Sequence, residues 1–267
     1  MEKNDTKGKA VIAVVGLGVF IFLFASSFYN YLLFHTFVEL TSVAIAFTIF
    51  AISWNSLSYI RSTYLLIIGI GYLFIGVLDI VHTMGFPGMG VFKDYDFYAN
   101  QLWIAARYVE GLTFVLAFSL FFHGEGKVRS LWIFLAYFLV TTLLLISIFF
   151  WKVFPVCFIA GEGQTSFKII SEYIISLLFI LTLILISRRR EQIGKVLYPL
   201  LFWSVILKII TEISFTFYVS NYGLSNLVGH FGKIASYYLI YRALVVTAAC
   251  RIKPPAPAWA CPLRRVS

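Results

Sequence analysis

Eight runs of about twenty mostly apolar residues follow one another along the chain, and a run of that length is what an α-helix needs to cross a bilayer. They fall at roughly 10–28, 37–59, 64–84, 101–122, 131–150, 169–187, 196–219 and 231–250. In hydrocarbon the backbone must satisfy its own hydrogen bonds, so spans of this length are helical. The breaks between them carry turn formers: Gly85-Phe86-Pro87-Gly88-Met89-Gly90, then His123-Gly124-Glu125-Gly126-Lys127, then Asn221, Gly223 and Asn226. Their shortness favours one compact bundle over separate domains. The expected fold class is an all-α integral membrane protein, an eight-transmembrane-helix bundle over residues 1–253. Only 12% of the 267 residues are charged and 61% are hydrophobic, against about 25% and 45–50% in soluble domains. That excludes a soluble enzyme, a disordered regulator and a secreted disulfide scaffold. Cys157, Cys250 and Cys261 are too few and too scattered for a disulfide framework or a CxxC metal site.

The first run follows Lys3, Lys7 and Lys9 and so resembles a signal peptide in outline. An h-region, however, is about 7–15 residues long. This run is longer and ends in Phe28, Tyr29 and Tyr31, which suit an interfacial aromatic belt. It reads as a retained helix.

The chain holds 21 Lys and Arg against 12 Asp and Glu, a net charge of +9. With the amino terminus inside, alternate loops and both tails collect fourteen of those bases: Lys3, Lys7, Lys9, Arg61, Lys127, Arg129, Arg188, Arg189, Arg190, Lys195, Arg251, Lys253, Arg264 and Arg265. The opposite side has three, Lys93, Lys152 and Lys168. Cytoplasmic loops keep the Lys and Arg, so both termini are expected in the cytoplasm and the chain in the cell membrane. The basic balance records topology and gives no support for nucleic acid. The Arg188-Arg189-Arg190 run reads as a stop signal that touches anionic lipid.

Charges inside spans cost about 2.5–3.5 kcal/mol each at the helix centre. Even so, six spans or their outer mouths carry polar pairs: His35/Glu39, Asp79/His82, Arg107/Glu110, Lys168/Glu172, Lys208/Glu212 and His230/Lys233. Spacings of three or four residues put both members on one helix face, and the expected orientation gathers the pairs in the outer half of the bilayer. His35, His82, Lys168 and His230 lie within a turn of a span end, where snorkelling to water is the ordinary expectation for each alone. Glu110 and Lys208 lie about 15 Å from their outer ends, and Arg107 and Glu212 about 9 Å. Snorkelling explains these deeper four poorly.

Five acids (Glu39, Asp79, Glu110, Glu172, Glu212) meet four bases (Arg107, Lys168, Lys208, Lys233) in this region. Such a set is either a structural network or a polar pocket. Buried ion pairs are weak stabilisers, and hydrogen bonds between membrane helices contribute about 0.6 kcal/mol on average. The pocket is therefore the favoured reading. Its candidate ligand-binding residues are Arg107, Glu110, Lys208, Glu212, Asp79, His82, Glu39, Glu172 and Lys233. His35, His82 and His230, with Glu39 or Asp79, also offer N/O ligands for a metal or a haem, although no HExxH-type spacing points to one. A weak internal repetition adds to the pattern. Spans one to four run plain, paired, paired, paired, and spans five to eight do the same.

The run Leu78-Asp79-Ile80-Val81-His82-Thr83-Met84-Gly85-Phe86-Pro87-Gly88-Met89-Gly90, followed by Leu102-Trp103-Ile104-Ala105-Ala106-Arg107-Tyr108, resembles the bacterial and archaeal membrane-associated sensor domain of the third type (MASE type 3). The likeness continues in Ser53-Trp54-Asn55-Ser56, in Phe167-Lys168-Ile169-Ile170-Ser171-Glu172-Tyr173, and in Gly229-His230-Phe231-Gly232-Lys233-Ile234-Ala235-Ser236-Tyr237-Tyr238. It extends from about residue 35 to about 250. The resemblance implies a membrane-embedded input module, normally followed by PAS, histidine kinase or diguanylate cyclase domains. Here residues 254–267 form a Pro-rich tail expected to be disordered and cytoplasmic. It cannot continue the last span as a coiled coil. The output half is expected to be lost by truncation or frameshift, or the chain stands alone.

The leading functional expectation is a sensor without catalytic residues of its own. A ligand engages Arg107, Glu110, Lys208 and Glu212, and small shifts of the last span carry the signal inward. Its expected partners are the lipid bilayer, a small ligand of unidentified chemistry, a cytoplasmic signalling domain in the same polypeptide and, as an option, a second copy of the chain. The alternative is a small-molecule or ion transporter, which uses buried acids and bases as a relay. An intramembrane enzyme finds no Ser–His pair, aspartate dyad or HExxH motif in support.

Overall fold

The computed structural model of the protein describes residues 2–56, 63–120, 130–216 and 223–252. The helices are α1 (Glu2–Tyr29), α2 (Tyr31–Asn55), α3 (Thr63–Met84), α4 (Tyr98–Ser119), α5 (Ser130–Phe149), α6 (Ser166–Arg188), the short α7 (Arg190–Ile193), α8 (Leu197–Thr216) and α9 (Leu224–Ile252). A helix stands at each of the expected runs. Six of them, α2 to α6 and α8, are long and apolar enough to cross a membrane. The described apolar stretch of α1, Val14–Tyr29, is shorter, and α9 carries His230, Lys233 and Arg242 along its length. The Pro-rich tail, His123 and the loop bases Arg61, Lys127 and Arg129 lie outside the described residues.

Three helices begin about two turns before the apolar runs that announce them, α1 at Glu2, α2 at Tyr31 and α9 at Leu224; the last two run through histidines. Hydropathy stops at the polar residues His35 and His230, but backbone pairing does not. At the start of α2 the Asn30 side chain accepts from the Leu33 amide at 3.1 Å, closing the open first turn. Thr165 caps α6 in the same way, accepting from the Lys168 amide while its hydroxyl donates to the Val156 carbonyl at 2.7 Å.

The order of packing places the site. α2 lies on α3, α3 on α4, α4 on α6, α6 on α8, α8 on α9, and α9 returns to α2. This closed ring of six helices is made from the six that carry the polar pairs. The two helices without pairs stand outside it, α1 against α2 and α5 against α3 and α4. α3 and α4 are buried along most of their length and α5 along little of it, so α5 turns Leu131, Trp132, Phe138 and Leu139 outward. The plain-then-paired order of the spans is not matched by an equivalent placement of the two plain helices, since α1 rests on α2 while α5 leans on the first half of the ring.

Close approaches in the ring use small residues. A Cβ on Gly69 of α3 would lie 2.1 Å from Ser53 Cβ of α2, and one on Gly229 of α9 would lie 2.4 Å from the Phe215 ring of α8. Lacking a hydrophobic drive between helices in lipid, such backbone proximity is what holds spans together.

One end of the ring carries a feature absent from the sequence expectations. Strands β1 (Phe158–Ile159) and β2 (Gly163–Gln164) form a small antiparallel hairpin. Gly161 and Gly163 take positive φ values of 84° and 94°, so glycine supplies the turn. The segment is pinned to the helices beneath. Gln101 of α4 donates to the Phe154 and Pro155 carbonyls, Tyr95 donates to the Phe158 carbonyl, and Gln164 donates to the Phe215 carbonyl of α8.

Candidate functional site

All twelve residues of the six polar pairs are buried, none more than 5% exposed. This corrects the snorkelling expected of His35, His82, Lys168 and His230. The helix ends converge under the hairpin and the 85–97 loop, so these side chains turn into the ring.

Their contacts form a chain from α8 to α2. Glu110 of α4 accepts from the Tyr72 hydroxyl at 3.0 Å, and its two oxygens are ion-paired to Lys208 and Arg107. Arg107 reaches across to Asp79 of α3 at 2.9 Å and donates to the Tyr237 hydroxyl at 3.1 Å, which itself donates to Asp79 at 3.2 Å. Lys233 of α9 bridges Asp79 at 3.0 Å and Glu39 of α2 at 2.6 Å. The other Glu39 oxygen stands 3.0 Å from His230 Nδ1, without hydrogen-bond alignment.

Three carboxylates thus meet three cations, and five ring helices share one neutral string of charge. In a low-dielectric interior, neutrality and an ion-pair partner for each charge make such burial tolerable, with Arg107 Nε and one Glu39 oxygen left without a hydrogen bond. Aromatic faces complete the lining. Trp103 lies 4.7 Å from Arg107 and 5.1 Å from Lys233, and Tyr237 lies 4.7 Å from Lys208, distances at which ring faces attract cations.

The remaining pairs lie beside this string. Lys168 of α6 pairs with Glu172 at 2.9 Å and donates to Gln164 of the hairpin at 3.2 Å. Glu212 of α8 is buried as Glu172 is, and one oxygen of each carboxyl has no hydrogen-bond partner. At the loop end, His82 Nδ1 is 2.8 Å from the Ala99 carbonyl, an oxygen that can only accept, so that nitrogen carries the hydrogen. His82 Nε2 then faces His35 Nε2 at 3.3 Å, and Phe86 stacks on His35 with ring centres 3.7 Å apart. His35, His82 and His230, with Trp103, Lys168 and Asn226, line a cavity whose water-accessible volume is about 30 Å³. That is room for one to three waters, or for an ion with a water.

The structure therefore splits the expected constellation into a saturated interior and an open histidine end. Arg107, Glu110 and Lys208 already hold one another. Sequence reading missed Tyr72, Tyr237 and Trp103. The signal for them was helical spacing: Tyr72 lies seven residues before Asp79, Tyr237 four after Lys233, and Trp103 four before Arg107, each on the face of a charged residue already marked.

A closed helical ring around a desolvated polar core defines a membrane-embedded helical domain. The chain matches the MASE3 family, membrane-associated sensor domain, over residues 26–251, and it belongs to that family. No curated protein and no solved structure matches it.

Proposed function

We propose that the chain is the sensory input module of a signal-transduction protein, with eight helices crossing the membrane and both termini in the cytoplasm. A ligand enters the outer half of the bundle through the histidine cavity, and α9 carries the response to a cytoplasmic kinase or cyclase domain. Membership in a sensor-domain family supports the general reading. The observation that carries the mechanism is Lys233. It sits on α9, the last helix, yet holds ion pairs to Glu39 of α2 and Asp79 of α3.

Anything that changes the environment of Glu39 thereby changes what α9 is tied to. A ligand shifts the equilibrium between two packings only by its difference in affinity for them, and the Glu39–Lys233 contact is a place where that difference arises. Arg107 serves as the fixed positive anchor of the string, since guanidinium stays charged when buried. Glu110, Lys208, Glu212, Asp79 and Glu172 hold the packing that the ligand perturbs.

The test is a chimera in which the chain, extended by a diguanylate cyclase domain, is screened for ligands that shift its thermal midpoint. Cyclase output should follow such a ligand, and Arg107→Gln should abolish the response while the protein still inserts. Proteoliposomes showing solute or proton flux, with cyclase output indifferent to every stabilising ligand, would replace the sensor with a permease.

A further inference from the structure

The geometry points to a transition-metal site at the loop end of the ring, with His35, His82 and Glu39 as ligands. Each residue offers a donor atom, and the three donors lie within 4.8 Å of one another. All three residues are buried. Two nitrogens bound at 2.0–2.1 Å to a tetrahedral ion stand about 3.3 Å apart, and His35 Nε2 and His82 Nε2 are 3.3 Å apart.

The surroundings of each ligand are those a metal site requires. His82 spends its Nδ1 hydrogen on the Ala99 carbonyl, which leaves the Nε2 lone pair pointing at His35. A ligating imidazole commonly gives its other N–H to a backbone carbonyl in this way. Glu39 has one oxygen held by Lys233 and the other 3.0 Å from His230 Nδ1, so an ion on that second oxygen displaces the His230 contact. Without an ion, His35 Nε2 donates to the His82 lone pair at 3.3 Å and His35 Nδ1 is buried with no partner, so a metal takes the place of one shared hydrogen, which moves to Nδ1 or leaves the site. His230 lines the same cavity, which leaves space for a water as a further ligand. Two imidazoles and a carboxylate suit borderline ions such as Zn²⁺, Co²⁺ or Ni²⁺, and suit Ca²⁺ or Mg²⁺ poorly.

Charge gives the site a consequence. The neighbouring string is already neutral, so a dication on Glu39 competes with Lys233 for the same carboxylate. Lys233 keeps Asp79, and the tie between α2 and α9 loosens. As an input signal the metal rests on the sensory reading above; as a binding site it does not.

The full chain in detergent, stripped with a chelator, is titrated with Co²⁺ and then Zn²⁺, and followed by visible absorption and metal analysis. One Co²⁺ per chain is expected, displaced by Zn²⁺ and unaffected by excess Mg²⁺. Affinity should fall by more than about tenfold in His35→Ala and in His82→Ala. Since a misfolded variant also loses metal, the wild-type chain decides first, and absence of saturable uptake overturns the site. Uptake unchanged in both variants, when both remain monodisperse, overturns it equally. A wild-type chain that ignores metal but responds to an organic ligand removes the metal and leaves the sensor. Stoichiometric metal without any change in a fused output domain upholds the site and removes its signalling role.

Discussion

At the scale of single residues the structure separates groups that are buried and idle from groups that are buried and engaged. Cys157, between α5 and the hairpin, is buried among apolar neighbours, and that burial pushes its thiol up to about 12. At pH 8 only about one molecule in ten thousand then carries the thiolate. We expect the Cys157 peptide to stay unmodified by maleimide at pH 8 in the folded protein and to react fully in SDS, as read by mass spectrometry. Ready labelling of the folded chain would show that this loop opens. On the exposed side of the same loop, Lys152 hydrogen-bonds Asp94 at 2.9 Å and holds its carboxyl below the usual range. Solvent screens such a pair, which contributes little to stability. The charged members of the core were legible in the sequence because a charge in a span has no cheap explanation. Tyr72, Tyr237 and Trp103 were not, because tyrosine and tryptophan are ordinary in membrane helices.

Helices in this protein meet where a side chain is missing. Gly69 lets α3 approach Ser53 of α2 so closely that Gly69→Val forces the two apart, and overpacking of this kind costs about 1–3 kcal/mol. Gly16 of α1 has nothing within 4 Å of an added Cβ. Gly69→Val should lower the thermal midpoint in detergent by several degrees, while Gly16→Ala should leave it unchanged or raise it, since alanine favours helix. Equal behaviour of the two variants would refute this picture of the α2–α3 contact. The positions of the helices were readable from apolar runs and their exact starts were not. A helix continues through His35 and His230 because those rings are buried against its neighbours, and hydropathy registers only their polarity. The hairpin escaped because two-residue strands leave no period to detect.

For the whole molecule the ring is the organising fact. α1 lies outside it; among the described residues Leu23 is buried against Phe34 and Val38 of α2, and Phe20 meets Phe231 of α9 with ring centres 4.8 Å apart. In a bilayer, lipid tails replace such contacts at little cost, being as apolar as leucine. A chain lacking residues 1–29 should therefore still yield a monodisperse protein in detergent, with its thermal midpoint reduced by only a few degrees. Aggregation of that shortened chain would mean that α1 is required for the ring to close. That six helices enclose the charges could be anticipated from the pairs. Their circular order could not, because the sequence does not say which spans are neighbours.

Closure also sets a schedule for synthesis. Lys233 follows Glu39 by 194 residues, and a ribosome adding about 5–20 residues per second needs roughly 10–40 s to cover that distance. For that interval Glu39 is already built while its partner does not yet exist. Asp79 and Glu110 have Arg107 within the same half of the chain, so Glu39 is the acid left to wait. The arrival of Lys233 on α9 is then the step that completes the string of charge.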